Sequence, residues 1–159
     1  MSEPALATAP FVRANVADKH TVLKDVFGYD KFRPGQEEII DTLLDGTSVL
    51  AIMPTGAGKS LCFQVPALAM EGLCIVVSPL VALMQDQVSA LRLAGVAADA
   101  IHSNQDRQAN VDAWYRVTGG ETRDLYMAPE RLMTERMLPA LSNLPISLFA
   151  IDAAHCMRQ

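Results

Sequence analysis

The sequence has few cysteines, no excess of positive charge and no long apolar run. Its three cysteines, Cys62, Cys74 and Cys156, are odd in number and lack CxxC spacing. This argues against a disulfide framework or a zinc site and favours a reducing, cytoplasmic setting. Because 13 Lys and Arg stand against 18 Asp and Glu, the formal net charge is −5. The strongly basic balance of the simplest nucleic-acid-binding domains is therefore absent, and any such contact must come from a local surface.

No stretch of the sequence suits a membrane span or an export signal. The apolar run at 73–77 is far shorter than the roughly 20 residues that a membrane-spanning helix needs. Residues 1–10 (MSEPALATAP) lack a basic segment and a long apolar segment, so they do not match a signal peptide. We expect residues 1–15 to form a flexible tail and residues 16–159 to form one domain, because a chain of this length suffices for one hydrophobic core.

Short apolar runs alternate with amphipathic segments, which predicts an α/β fold. Each apolar run is bounded by turn residues, so strands are predicted at 48–53, 73–78, 98–102, 123–128 and 147–152. Helices are predicted at 18–27, 35–44, 59–70, 80–93, 106–117 and 130–138. The helix at 80–93 has an apolar face of Leu80, Leu83, Met84, Val88 and Leu91. This alternation predicts three layers, a parallel sheet with helices on both faces.

The segment MPTGAGKS at 53–60 has the features of a phosphate-binding loop (P-loop). A predicted strand leads into it and a predicted helix leads out, which is the context this motif requires. Gly56 and Gly58 allow backbone N–H groups to turn toward phosphate oxygens. Lys59 can reach the β- and γ-phosphates of ATP, and the Ser60 hydroxyl can ligate Mg²⁺. The predicted ATP contacts in this loop are Thr55, Gly56, Ala57, Gly58, Lys59 and Ser60.

Asp152 ends the last predicted strand, where a phosphate loop needs an acidic partner for its metal ion. We expect it to hold Mg²⁺ through water, because this ion keeps much of its hydration shell. An aspartate that merely ends a strand is the alternative. The phosphate loop elsewhere in the chain favours the metal-binding role.

Five segments, in order, resemble the first motor domain of RecQ-family DNA helicases of superfamily 2. They are FGYDKFRPGQ at 27–36, MPTGAGKSLCFQ at 53–64, VSPLVALMQDQV at 77–88, LYMAPERL at 125–132 and IDAAHC at 151–156. The resemblance implies a RecA-like fold that uses ATP and Mg²⁺. It also implies single-stranded or partly duplex DNA as partner, and 3′–5′ translocation and unwinding in DNA repair or recombination. In a bacterium, it implies a cytoplasmic protein associated with the nucleoid.

The same resemblance implies that Tyr29, Arg33 and Gln36 recognise adenine. The Gln36 amide can accept a hydrogen bond from adenine N6 and donate one to N7. Tyrosine and arginine are flat groups that can stack on the ring. In isolation, Gln36 would be read as a solvated helix residue.

Contacts to the DNA backbone are implied for Ser78, Pro79, Ser103 and Arg131. A predicted strand ends and a helix begins at Ser78-Pro79, leaving N–H groups for a phosphate. Arg131 can equally well pair with a neighbouring carboxylate. Trp114 and Tyr115 lie on a predicted helix, and we expect them to pack rather than to stack on bases.

The metal motif departs from the family pattern. The resemblance implies catalytic roles for Lys59, Asp152 and His155, but the family's Asp-Glu-Ala-His is here Asp152-Ala153-Ala154-His155. The missing glutamate would orient and deprotonate the attacking water, and losing such a base costs roughly 10²–10⁴-fold in rate. Nucleotide and metal binding need not suffer, because Lys59, Ser60 and Asp152 are present.

The sequence up to Gln159 contains no segment resembling the family's second RecA-like domain, which carries an arginine finger. We therefore expect the 159-residue chain alone to bind ATP without turning it over. Two alternatives stay open. One is a nucleotide- and DNA-binding module that does not hydrolyse ATP, which Ala153 favours. The other is a small-molecule kinase, which would need neither the segment at 27–36 nor the one ending at His155.

We predict that Ala153→Glu restores ATP hydrolysis in a full-length protein that contains the second domain, by roughly 10²–10⁴-fold. ATP affinity should change much less, because the phosphate-loop residues are untouched. The same substitution in the 159-residue chain should restore little, since an arginine finger is worth roughly 10³–10⁵-fold in rate. Steady-state ATPase rates and ATP titrations check this. Brisk hydrolysis by a full-length protein that retains Ala153 would contradict it.

Overall fold

Within the residues that the structure describes, four parallel strands form a sheet against which helices pack. The computed structural model describes residues 18–46 and 60–151, and its strands are β1 (Leu73–Val77), β2 (Ala98–Ile101), β3 (Asp124–Met127) and β4 (Ile146–Ile151). They lie in the order β2-β3-β1-β4, and each neighbouring pair is parallel. The predicted α/β class is confirmed. The strand predicted at 48–53 lies outside the described residues.

Helices cover both faces of this sheet. They are α1 (Lys19–Asp25), α2 (Gln36–Leu44), α3 (Leu61–Ala69), α4 (Val81–Leu93), α5 (Arg107–Thr118), α6 (Pro129–Leu132) and α7 (Met137–Ser142). Alternate residues of β1 enter two separate apolar clusters: Cys74 and Val76 join the side chains of α1 to α4, whereas Ile75 joins those of α5 to α7. This follows from the two-residue period of a strand, and it gives the predicted three layers.

The single helix predicted at 130–138 is wrong. The chain forms two short helices there, α6 and α7, separated by a turn at residues 133–136. The Thr134 hydroxyl donates to the Arg131 carbonyl at 2.9 Å, and the Met137 N–H donates to the Thr134 carbonyl at 3.3 Å. These local bonds replace the helical pattern.

The apolar face predicted for 80–93 is also only partly correct. Met84, Val88 and Leu91 are buried, but Leu80 and Leu83 are 40% and 36% exposed. These two residues lie at the start of α4, whose buried residues begin at Met84. The first turn of the helix therefore lies outside the core.

Arg123 joins α3 to two strands of the sheet. Its guanidinium donates to the carbonyl oxygens at the end of α3, at 3.0–3.3 Å, from Ala67, Leu68 and Met70. Its backbone N–H donates to Ala97, just before β2, and its carbonyl accepts from Cys74 in β1. A cation is favourable at a helix C-terminus, where carbonyl groups lack helical partners. Arg123 therefore fixes the end of α3 at the amino end of the strands.

Asp124 follows directly and is fully buried at the start of β3. Neither carboxyl oxygen accepts a hydrogen bond within residues 18–46 and 60–151. Burial raises the pKa of Asp124 to about 7, although the nearby Arg123 charge acts in the opposite direction. The folded protein therefore binds a proton here more tightly than the unfolded chain does.

This burial predicts a pH-dependent contribution to stability. Because the folded pKa is the higher one, the contribution of Asp124 is fully present below the ordinary aspartate pKa and is lost as the pH rises to about 7. Between these two pKa values, the contribution of Asp124 to the free energy of unfolding should fall by up to about 1.4 kcal/mol per pH unit. Asp124→Asn keeps the shape and removes the titration, so it should be the more stable protein above pH 7.

Urea unfolding of both proteins at several pH values measures the difference between them. Asp86→Asn, which removes an exposed carboxyl group on α4, is the matched control. A difference between Asp124→Asn and the unaltered chain that does not vary with pH would contradict the prediction.

Candidate nucleotide and DNA site

The carboxyl edge of the sheet is where Ser60 and the segments that follow β1, β2 and β3 lie. Helix α3 runs antiparallel to the strands, because Arg123 holds its end at their amino edge. Midway along α3, the Gln64 amide donates to the Tyr126 hydroxyl of β3 at 2.9 Å. Ser60, which precedes α3, therefore lies toward the carboxyl edge. The loops that follow β1, β2 and β3 begin at this same edge.

The segment proposed to recognise adenine is held by its own glutamine. Tyr29 is 51% exposed and Arg33 is exposed, whereas Gln36 is only 2% exposed. The Gln36 Oε1 accepts the Arg33 N–H at 2.7 Å, where α2 begins. The structure thus brings Arg33 and Gln36 together, and the reading of Gln36 as a solvated helix residue is wrong.

Ser78 and Pro79 follow β1 and differ in exposure. Ser78 is buried, and its N–H donates to the Met127 carbonyl, which extends the β1–β3 ladder. Its Oγ accepts the Leu80 N–H at 3.3 Å and so supports the entry to α4. Pro79 is exposed. The Ser78 hydroxyl thus has a structural role at the start of α4. A DNA contact through the same hydroxyl stays a prediction.

Ser103 lies in a turn after β2 that Asn110 braces. The Asn110 side chain accepts from the His102 N–H at 3.3 Å and donates to the His102 carbonyl at 3.0 Å. It also accepts from the Gln105 amide at 2.7 Å, and that amide donates to the Ala100 carbonyl as well. Ser103 itself is exposed. The buried amide on α5 therefore holds an exposed serine at the carboxyl edge.

Arg131 is half-buried on α6, immediately after β3. Its Nε has no hydrogen-bond partner, and the side chain pairs with no carboxylate among the described residues. The alternative in which Arg131 pairs with a neighbouring carboxylate therefore gains no support. Arg131 and Ser103 both line a groove of about 920 Å³.

Tyr115 lines the same groove, and its predicted packing role is wrong. The side chain is 69% exposed, because the helical phase of α5 directs Ala113 and Val117 into the core instead. Trp114 is half-buried and packs against the apolar cluster beneath α5, as predicted. The sequence of α5 already indicated this result. Ala113 and Val117 are four residues apart and share one face of the helix, and Tyr115 lies midway between them on another face.

Several predicted site residues lie outside the described residues and stay predictions. They are Thr55, Gly56, Ala57, Gly58, Lys59, Asp152, Ala153 and His155. Of the two predicted metal ligands, only Ser60 is described. Within residues 18–46 and 60–151, no three His, Cys, Asp or Glu side chains cluster as a metal site. Nor does any helix in this part of the chain have the length and apolarity to cross a membrane.

Comparison with known proteins gives one family match and several curated relatives. A family model described as DEAD/DEAH box helicase matches residues 33–159. The chain is 44% identical to the ATP-dependent DNA helicase RecQ of Haemophilus influenzae over 139 residues, which cover 87% of the chain and 22% of that protein. It is 46% identical to RecQ of Pasteurella multocida over 138 residues, with the same two coverages.

A human relative, ATP-dependent DNA helicase Q4, is 43% identical over 83% of this chain and 11% of its own length. The chain thus spans about a fifth or less of these three relatives. The resemblance to RecQ helicases expected from the five segments is confirmed.

The Asn110 brace predicts a stability effect with a close control. Asn110→Ala leaves the buried N–H and carbonyl of His102 without their side-chain partner, so it should lower the free energy of unfolding by about 1–3 kcal/mol. Asn104→Ala removes the same side-chain type from an exposed position of the same turn and should cost less than about 0.5 kcal/mol. Urea denaturation measures both, and equal losses would contradict the assigned brace.

Proposed function

The chain belongs to the DEAD/DEAH box helicase family, and on this premise we propose that it is the ATP-binding part of an ATP-dependent DNA helicase motor. The observation that carries the proposal is the shared carboxyl edge. Ser60 of the phosphate loop lies toward the edge from which the Ser78, Ser103 and Arg131 segments extend. A nucleotide and a DNA strand bound there would contact one rigid sheet, which is what coupling between them requires.

For the nucleotide, the proposal assigns the adenine to Gln36 with Tyr29 and Arg33. The Gln36 Oε1 accepts the Arg33 N–H, which fixes the orientation of the side-chain amide. An amide group of this kind can pair with adenine by accepting from N6 and donating to N7. The exposure of Tyr29 and Arg33 supports a stacking role for both side chains.

For the phosphates, the proposal keeps the assignment made from the sequence. Lys59 neutralises phosphate charge, and Ser60 and Asp152 hold Mg²⁺, Asp152 through water. When bound, Mg²⁺ would neutralise charge on the β- and γ-phosphates. Position 153 matters most for turnover, because alanine neither accepts a proton nor orients water. The proposal also keeps His155 as a catalytic residue, as the resemblance to the family implies.

For DNA, the proposal assigns backbone contacts to Pro79, Ser103 and Arg131, with the N–H groups at the start of α4 and Ser78 as further candidates. The curated relatives above are named DNA helicases, which supports DNA as the partner. We extend the proposal to 3′–5′ translocation in DNA repair or recombination, and to a second RecA-like domain as the partner that completes the motor.

A second candidate function is a nucleotide- and DNA-binding module without turnover. The specific observation in its favour is Ala153. ATPase rates with and without single-stranded DNA, measured on a full-length protein with glutamate at this position, separate the two. DNA-stimulated hydrolysis supports the motor, and its absence supports the binding module.

Adenine recognition is tested by Gln36→Glu, which keeps the acceptor for the Arg33 N–H and removes the donor for N7. We predict that the unaltered chain prefers ATP over GTP, because guanine O6 replaces the N6 donor with an acceptor. The preference should fall by roughly 5- to 150-fold in Gln36→Glu and in Gln36→Ala, which corresponds to about 1–3 kcal/mol for a bidentate contact.

Competition binding with both nucleotides measures this preference. Gln85→Glu, which adds the same charge at an exposed site on α4, is the control and should leave the preference unchanged. An equal preference in the unaltered chain and in both Gln36 variants would show that Gln36 does not read the base.

A further inference from the structure

The groove beside Ser103 and Arg131 extends away from the carboxyl edge between α5 and α7. Ile101 and Ser103, at the end of β2, line its start, and Tyr115 and Ala140 line it farther along the two helices. Its volume of about 920 Å³ is near the top of the range of roughly 300–1,000 Å³ typical of ligand pockets.

The charge of the groove is opposite to that of the chain. Arg107, Arg131 and Arg136 line it, and none of the described lining residues is a carboxylate. The chain as a whole carries more acidic than basic residues, with a formal net charge of −5. The groove is thus a local basic surface, which attracts a polyanion even where the net charge does not.

These arginines also differ from others in the same fold. Arg92 and Arg116 both bind the buried Asp99 carboxylate, at 3.1 and 2.7 Å. By contrast, Arg107 and Arg136 are exposed and form no ion pair with the described part of the chain. Arg92 and Arg116 therefore serve the structure, whereas the groove arginines keep their charge available to a ligand.

Aromatic side chains accompany these charges. Tyr115 is 69% exposed and Trp114 is half-buried, and both line the groove. An exposed aromatic ring beside unpaired arginines is the combination that binds single-stranded nucleic acid, with rings stacking on bases and guanidinium groups contacting phosphates.

We propose that this groove is a subsite for single-stranded DNA, continuing the strand that contacts Ser103 and Arg131. Arg107 and Arg136 contact its phosphates, and Tyr115 stacks on one base. The inference rests on the proposed function, because the strand must first reach the carboxyl edge. It adds a length of bound DNA that the motifs of the sequence do not assign.

Fluorescence anisotropy with a labelled oligothymidylate of about 16 nucleotides tests the subsite on the whole chain over a range of salt concentrations. Arg107→Gln combined with Arg136→Gln should reduce the slope of log affinity against log salt by about 1.4, since each single-strand phosphate contact contributes about 0.7. Lys24→Gln removes an exposed charge on α1, outside the groove, and should leave the slope unchanged.

The stacking contact has its own variants. Tyr115→Ala should weaken binding roughly 5- to 150-fold with little change in the salt slope, whereas Tyr115→Phe should bind like the unaltered chain. All three positions are exposed, so unfolding midpoints should match that of the control.

The outcomes separate the subsite from the proposed function. If the unaltered chain binds the oligonucleotide and the groove variants behave like Lys24→Gln, the subsite is wrong and the proposed function stands. Groove variants that bind the oligonucleotide like Lys24→Gln are also what we expect if the groove binds an acidic peptide instead of DNA. An unaltered chain that binds no oligonucleotide overturns both, and Tyr115→Phe as damaging as Tyr115→Ala overturns the stacking role.

Discussion

The direction of helix α3 depends on one buried cation. The Arg123 guanidinium collects three carbonyl groups at the end of α3, while its backbone joins the starts of β1 and β2. With the helix end fixed at the amino edge, and Gln64 midway along it bonded to Tyr126 of β3, the helix begins toward the opposite edge. The position of Ser60 relative to the loops that follow β1, β2 and β3 thus depends on a residue at the opposite edge of the sheet. The adjacent buried Asp124 makes this junction sensitive to protonation.

Most of the fold could be predicted from local patterns, because buried parallel strands read as continuous apolar runs. The segment at 73–77 is such a run, and the run at 125–127 follows Asp124; the structure has strands at both places. The hydrophobic pattern gave a wrong helix where local side-chain hydrogen bonds end the helix early. Thr134 breaks the helix predicted at 130–138, and no periodicity reveals that its hydroxyl takes the Arg131 carbonyl. Leu80 and Leu83 are exposed because the first turn of α4 lies outside the core. The apolar pattern of one helix does not show which of its turns contact the core.

The candidate site was predictable only as separate segments. The sequence identified Ser103 and Arg131, but not that both line one groove with Arg107 and Arg136. Those two arginines follow Ser103 and Leu132 by four residues each and lie outside the motifs, so only the fold, which places α5 and α7 on either side of the groove, reveals them. The burial of Gln36 was also missed, because its side chain accepts a hydrogen bond from the backbone N–H three residues earlier, which the spacing of side chains does not indicate.

The strand order has a consequence for synthesis of the chain on the ribosome. Strand β1 is the first of the described strands to emerge, yet its two neighbours in the sheet, β3 and β4, are the last two. Leu73 pairs with Ile146, so this fully buried strand must wait for most of the remaining described chain. Such non-local pairing slows folding and leaves apolar strand edges exposed meanwhile. The nascent chain therefore keeps the apolar edges of β1 unpaired until β3 and β4 have been made.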